Sequence, residues 1–256
     1  MTGAVTLDVA ATPADIRLIA IGDIHGCRDL LARLLDAIDA EIAADRPGDW
    51  RIVTLGDYVD RGPDSRGVID MLATRRRDPR FITLAGNHDD GFLGFLANEE
   101  TQALFLAHGG AETAASYGVT LDATSEASLA NARHTLASEM PAHHVAFLRS
   151  LDVSATFGDF FFCHAGIRPD VALDAQTRHD LTWIRREFID HGELHPKLIV
   201  HGHTPKPAPE ILPNRVNVDT RAYSTGVLTA LVADGRSKWL WQTQGTEVLR
   251  TEIGKA

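Results

Sequence analysis

Leu55-Gly56-Asp57-Tyr58-Val59-Asp60-Arg61-Gly62 follows the apolar pair Ile52-Val53 and crowds two carboxylates and a guanidinium into a turn. An apolar run that breaks into Gly and charge reads as a buried strand ending in a loop that presents those groups. Carboxylates three residues apart repel each other unless something cationic holds them, and the candidates are a metal ion and Arg61. The pattern recurs. The run from Arg17 ends in Gly22-Asp23-Ile24-His25-Gly26, and the run from Phe81 ends in Gly86-Asn87-His88-Asp89. Phe160 to Cys163 ends in His164-Ala165-Gly166, and Leu198 to Val200 ends in His201-Gly202-His203-Thr204-Pro205. Five strand-like runs that finish in Asp, Asn or His beside Gly supply oxygen and nitrogen ligands for a polynuclear metal site at the strand ends.

The intervals between these runs set the architecture. Arg28 to Ala43 places Leu30, Leu31, Leu34, Leu35, Ile38 and Ile42 at helical spacing, and Ser65 is positioned to cap a helix through Arg77. Strands at about 17–22, 51–55 and 81–85 separated by these helices imply a parallel sheet with right-handed crossovers and active groups at the carboxyl ends. Residues 89–150 are Ala-rich and helical, either a cap beside the site or a layer away from it. From Val153 the chain turns to strands: 153–157, 160–163, 198–200, 215–218, 227–233 and 238–243, with a short helix at 181–189. Asp234-Gly235 marks a hairpin. The expected fold is α/β, two packed mixed β-sheets flanked by helices. The expected organisation is a single domain over 1–256 with a helical insertion at about 89–150.

Composition narrows the partners. A net charge of −10 opposes polyanions and argues against nucleic acid. Two cysteines, Cys27 and Cys163, exclude a disulfide framework and read as small packed side chains. No run approaches the ~18 apolar residues of a membrane helix, and the start lacks a signal-peptide pattern, so a cytoplasmic protein off the membrane is expected. The oligomeric state is not encoded in any of these features.

The blocks Gly22-Asp23-Ile24-His25-Gly26, Gly56 to Gly62 and Gly86 to Asp89, followed by His164-Ala165-Gly166 and Gly202-His203-Thr204-Pro205, resemble the phosphoprotein phosphatase family of calcineurin-like metallophosphoesterases. The resemblance spans roughly residues 17–233 and is similar to the compact bacterial and bacteriophage-lambda form. It implies that Asp23 and His25 hold one metal, that Asp57 bridges two, and that Asn87, His164 and His203 complete the second. It further implies that His88 is the general acid, paired with Asp60, and that Arg61 and Arg185 bind phosphate, the latter in Trp183-Ile184-Arg185. Two divalent ions are implied, Mn²⁺ foremost, with Fe or Zn as alternatives; Asp, Asn and His donors suit such borderline metals. His201 is expected to pack rather than ligate. His143, His144, His191 and His195 are expected at the surface, and Trp239 and Trp241 in packing.

The expected activity is hydrolysis of phosphoserine and phosphothreonine in proteins. The alternative is symmetrical cleavage of diadenosine tetraphosphate or another small phosphoester. A non-catalytic scaffold is disfavoured by the complete set of ligands and acid.

Overall fold

The computed structural model describes residues 3–253. The ends of the expected 1–256 domain lie outside the described residues. Among the described residues eleven strands form two sheets. They are β1 (Ile16–Ile21), β2 (Asp49–Thr54), β3 (Phe81–Thr83), β4 (Ser154–Phe157), β5 (Phe160–Cys163) and β6 (Leu198–His201), then β7 (Glu210–Ile211), β8 (Arg215–Asn217), β9 (Thr229–Asp234), β10 (Ser237–Gln244) and β11 (Glu247–Ile253). One sheet has the order β11-β10-β9-β1-β2-β3, the other β4-β5-β6-β8-β7. Helices α1 (Arg28–Asp45) and α2 (Ser65–Arg75) make the parallel crossovers, and α3 (Asn87–Ala97), α4 (Gln102–Ala107), α5 (Gly110–Ser116), α6 (Glu126–Glu139) and α7 (Ala142–Arg149) fill the central stretch. Helices α8 (Arg178–Trp183), α9 (Arg186–Ile189) and α10 (Ala222–Thr225) complete the chain. Among the described residues no helix is long and apolar enough to cross a membrane.

The alternation of β1 explains the layering. Leu18 and Ala20 face the second sheet and meet Phe160, Phe162, Leu198 and Val200. Ile19 and Ile21 face the helices and pack with Leu31, Leu34, Phe92 and Phe105. A strand buried on both faces needs a continuous apolar run, which β1 has. The second sheet is covered in the same way: Phe161, Cys163 and Ile199 turn outward onto Leu181 and Phe188.

The C-terminal strands are shared between the two sheets. β9 pairs antiparallel with β1, so the first sheet is built from both ends of the chain. β11 carries polar residues on both faces and gives no alternation to read. Its charged surface protects the exposed edge. The cap of α2 is Asp64, whose Oδ1 accepts from Gly67 N at 2.7 Å; Ser65 lies inside the helix. The expected helix at 181–189 is two helices interrupted at Ile184-Arg185. His144 and His195 are buried rather than at the surface. Trp239 and Trp241 pack against the helical core as expected.

Phe105 joins the helical stretch to this core, with its ring 5.1 Å from Phe92 and 4.7 Å from Phe95. Phe105→Ala should cost about 3–5 kcal/mol in urea unfolding, the usual range for truncating a buried aromatic. A loss below about 1 kcal/mol would show that this packing does not hold the helices to the sheet.

Candidate dinuclear metal centre

All six sequence-predicted ligands are buried at the carboxyl ends of β1, β2, β5 and β6 and at the start of α3. Asp57 is central. Its Oδ2 lies 3.4 Å from His25 Nε2 and its Oδ1 3.4 Å from His164 Nε2. Two donor groups therefore meet on one carboxylate: His25 with His88, and His164 with His203. His164 Nε2 is also 3.0 Å from Asn87 Oδ1 and 3.2 Å from His203 Nδ1. Asp23 sits behind His203, accepting from its backbone N–H at 3.1 Å.

The donor chemistry fits divalent cations. His25 Nδ1 donates to Val59 O and His164 Nδ1 to Leu55 O, both at 2.8 Å. A carbonyl can only accept, so each neutral ring turns the lone pair of its Nε2 toward the Asp57 carboxylate. At His164 lone pair against anion is repulsive without a cation between them, whereas at His25 the Arg61 guanidinium donates to the same Nε2 at 3.1 Å. Burial keeps these rings neutral: it lowers the His25 pKa to about 3 and the His164 and His203 values below the ordinary one. Burial and neighbouring carboxylates push Asp23 well above the usual range and Asp219 up to about 6. Such a group of buried acids calls for positive charge.

Asp219 was not singled out from the sequence. It follows β8, but no Gly adjoins it, so the recurrent Asp-beside-Gly signal is missing. Its Oδ1 accepts from Arg221 N at 2.9 Å.

The rest of the expected site surrounds His88. His88 Nδ1 donates to Asp60 Oδ2 at 2.6 Å, and Arg61 Nη2 donates to His88 Nε2 at 2.9 Å. The other Arg61 amine donates to His25 Nε2 at 3.1 Å, and the guanidinium lies 4.9 Å over the Tyr223 ring. Thr113, on α5, donates to Asp60 Oδ1 at 2.9 Å and accepts from Asp60 N at 2.8 Å. The helical stretch thus reaches the chemistry, through Thr113 and through His108, whose ring is 6.5 Å from that of His88. Nothing local in an Ala-rich helix marks Thr113 for this contact across 53 positions. Arg185 is exposed at the turn between α8 and α9, where its charge helps lower the pKa of His203 and of His108. His201 packs away from the two donor groups, edge-on to Phe188 at 5.0 Å. Cys163 and Cys27 are both buried, and burial raises both thiol pKa values.

Backbone geometry also gathers here. His25 (φ 45°), Asp57 (52°), Asp60 (72°), Arg61 (67°) and His203 (63°) all adopt left-handed conformations. Such conformations are uncommon for non-glycine residues and concentrate at functional sites.

A two-sheet sandwich with paired Asp, Asn and His donors at its strand ends defines a metal-dependent phosphoesterase. The chain belongs to the calcineurin-like phosphoesterase family, whose model matches residues 16–229. Among its relatives, a bis(5′-nucleosyl)-tetraphosphatase PrpE (asymmetrical) from Bacillus mycoides is 30% identical over 234 residues, covering 82% of this chain and 88% of that protein. The enzyme of the same name from Anoxybacillus flavithermus is 29% identical over 231 residues, with the same coverage. In fold, the chain is similar to a structure provisionally assigned as a diadenosine tetraphosphatase, with TM-score 0.59 and 22% identity over 96% of this chain and all of that one. It also matches a cold-active protein-tyrosine phosphatase from Shewanella sp., with TM-score 0.56 and 17% identity over 95% and 83%.

Asp57→Asn should reduce the bound metal well below the about two ions per chain of a dinuclear site, because a neutral amide bridges two cations poorly. Elemental analysis is the measurement. Two ions retained at wild-type affinity would remove Asp57 from the bridging position.

Proposed function

We propose that this protein is a dinuclear-metal hydrolase of dinucleoside tetraphosphates, cleaving asymmetrically to a nucleoside triphosphate and a nucleoside monophosphate. The observation that carries this reading is the likeness to the PrpE tetraphosphatases over 82% of the chain. The relatives are named for nucleotides, which moves the reading from phosphoserine and phosphothreonine to the small-molecule alternative, and from symmetrical to asymmetrical cleavage. Two guanidinium groups beside the site, Arg61 and Arg185, support a polyanionic substrate in a chain whose net charge is −10, and the imidazoles of His88 and His108 stand next to them. A single phosphomonoester needs few of these groups, whereas a polyphosphate can engage them all.

In this reading Asp23 and His25 hold one ion, Asn87, His164 and His203 the other, and Asp57 both. Two such ions, when bound, polarise the phosphoryl group and lower the pKa of a water. The protein's own part is orientation and proton supply. Arg61 and Arg185 clamp non-bridging oxygens, for which the planar guanidinium is suited. His88 donates a proton to the departing oxygen while Asp60 supports the imidazolium, and Thr113 fixes Asp60.

Separation of the products formed from a dinucleoside tetraphosphate tests the substrate and the bond together. The expected pair is a nucleoside triphosphate and a monophosphate. Two diphosphates would make the cleavage symmetrical, and turnover of phosphopeptides alone would return the protein-phosphatase reading.

The proton donor has its own signature. An alkoxide leaves poorly without a proton, whereas p-nitrophenolate leaves readily. His88→Asn should lower the rate on a phosphoserine peptide or another alkyl phosphate by about 10²–10⁴-fold, with a much smaller loss on p-nitrophenyl phosphate. Thr113→Val should show the same bias more mildly, and Thr113→Ser, which keeps the hydroxyl, should restore most of the activity. Equal losses on both substrates with metal retained would assign His88 to orientation instead.

A further inference from the structure

A second group of metal-binding side chains lies outside this centre, at the junction of α2 and α7. His144 is fully buried, with Nε2 2.7 Å from Asp70 Oδ1 and Nδ1 2.8 Å from the Tyr117 hydroxyl. His143 Nε2 approaches the same Asp70 oxygen at 3.4 Å, and its ring stands edge-on to that of His144 at 4.4 Å. The three donor atoms lie within 4.8 Å of one another. Tetrahedral zinc with bonds of about 2.0–2.1 Å needs its ligand atoms about 3.3 Å apart, so small rotations of the exposed His143 and Asp70 side chains suffice.

We propose that Asp70, His143 and His144 form a third divalent-metal site, suited to zinc, that fastens α2 to α7. Two imidazoles and one carboxylate are a donor set for zinc, with the fourth position left to water. The Tyr117 hydroxyl can either donate or accept, so it holds the His144 ring in both tautomers. When Nε2 turns to a metal, Nδ1–H donates to Tyr117, the outer hydrogen bond that metal-bound histidines generally make. As the ion takes Nε2 the ring proton passes to Nδ1, so the neutral imidazole loses no proton, and binding weakens only at low pH, where protons compete for the imidazoles and the carboxylate. Access is open: His143 and Asp70 are exposed, and His143 also lines a cleft of about 770 Å³ with Arg76, Arg77 and Phe147.

The position gives the site a structural consequence. α2 carries Ser65 and α5 carries Thr113, the two hydroxyls that accept from Asp60 N. Tyr117 directly follows α5. An ion at Asp70, His143 and His144 therefore ties together the helices that hold Asp60.

The test is zinc content and zinc-dependent stability of the full chain. After equilibration with Zn²⁺ and desalting, the wild type should hold one zinc more per chain than His143→Ala or Asp70→Asn. Zinc should also raise the unfolding temperature of Asp57→Asn, whose principal centre is weakened, by more than it raises that of Asp57→Asn/His143→Ala. His143 and Asp70 are exposed, so these variants should fold even where a change at buried His144 would not. Equal zinc content in wild type and His143→Ala, or equal thermal shifts in the two Asp57→Asn backgrounds, would overturn the proposal.

Discussion

The Asp89 carboxylate accepts three backbone N–H groups: Asp57 and Gly86 at 2.9 Å through Oδ2, and Tyr58 at 3.0 Å through Oδ1. Two strand-end loops that are distant in sequence are thereby held in one shape. Burial and the neighbouring Asp57 push the Asp89 pKa up, and the backbone hydrogen bonds from Gly86 and Tyr58 work against that shift. Asp89 lies in the first turn of α3, where the helix dipole favours an acid. The loops then come so close that side chains are excluded: a Cβ on Gly86 would lie 2.1 Å from Asp57 Oδ1, and one on Gly56 2.5 Å from Gly86 N. Asp57, the carboxylate proposed to bridge, is placed by backbone contacts, before any ligand is considered.

Much of this centre was legible because its signals are local. A strand that stops at Gly and then offers Asp, Asn or His is visible within a few residues, and the two packed sheets bring five such ends together. The hidden parts depend on long-range approach. Thr113 and His108 reach the site only because α3 to α5 fold back over it. Asp219 sits beside Asp23 because β8 pairs with β6, a neighbour relation that crosses the sequence. His144 looked like half of a surface pair, but a histidine on the buried side of a helix differs from its neighbour only by helical phase. The edge strand β11 lacked a hydrophobic face and so lacked a pattern.

The charge distribution follows a similar division. The chain is acidic overall, yet Arg61, His88, His108 and Arg185 stand at the mouth above buried carboxylates. The Arg61 guanidinium offsets Asp23 and Asp219 at short range, where the low dielectric makes charge count most. Arg61 serves both layers, because its two amines reach His25 and His88 while Tyr223 supports its face. Its orientation is therefore fixed by three neighbours rather than by substrate.

The five left-handed residues have an evolutionary consequence. An L-residue held in that region costs roughly 1–2 kcal/mol, a cost that glycine escapes. Ten non-glycine residues hold positive φ among the described residues and five of them are these candidate site residues, so at half of the positions where a glycine would relieve strain the side chain is one the proposed site needs. Selection for thermal resistance without selection for turnover would erode His25, Asp57, Asp60, Arg61 and His203 early. In this fold, robustness and catalysis compete for the same few codons.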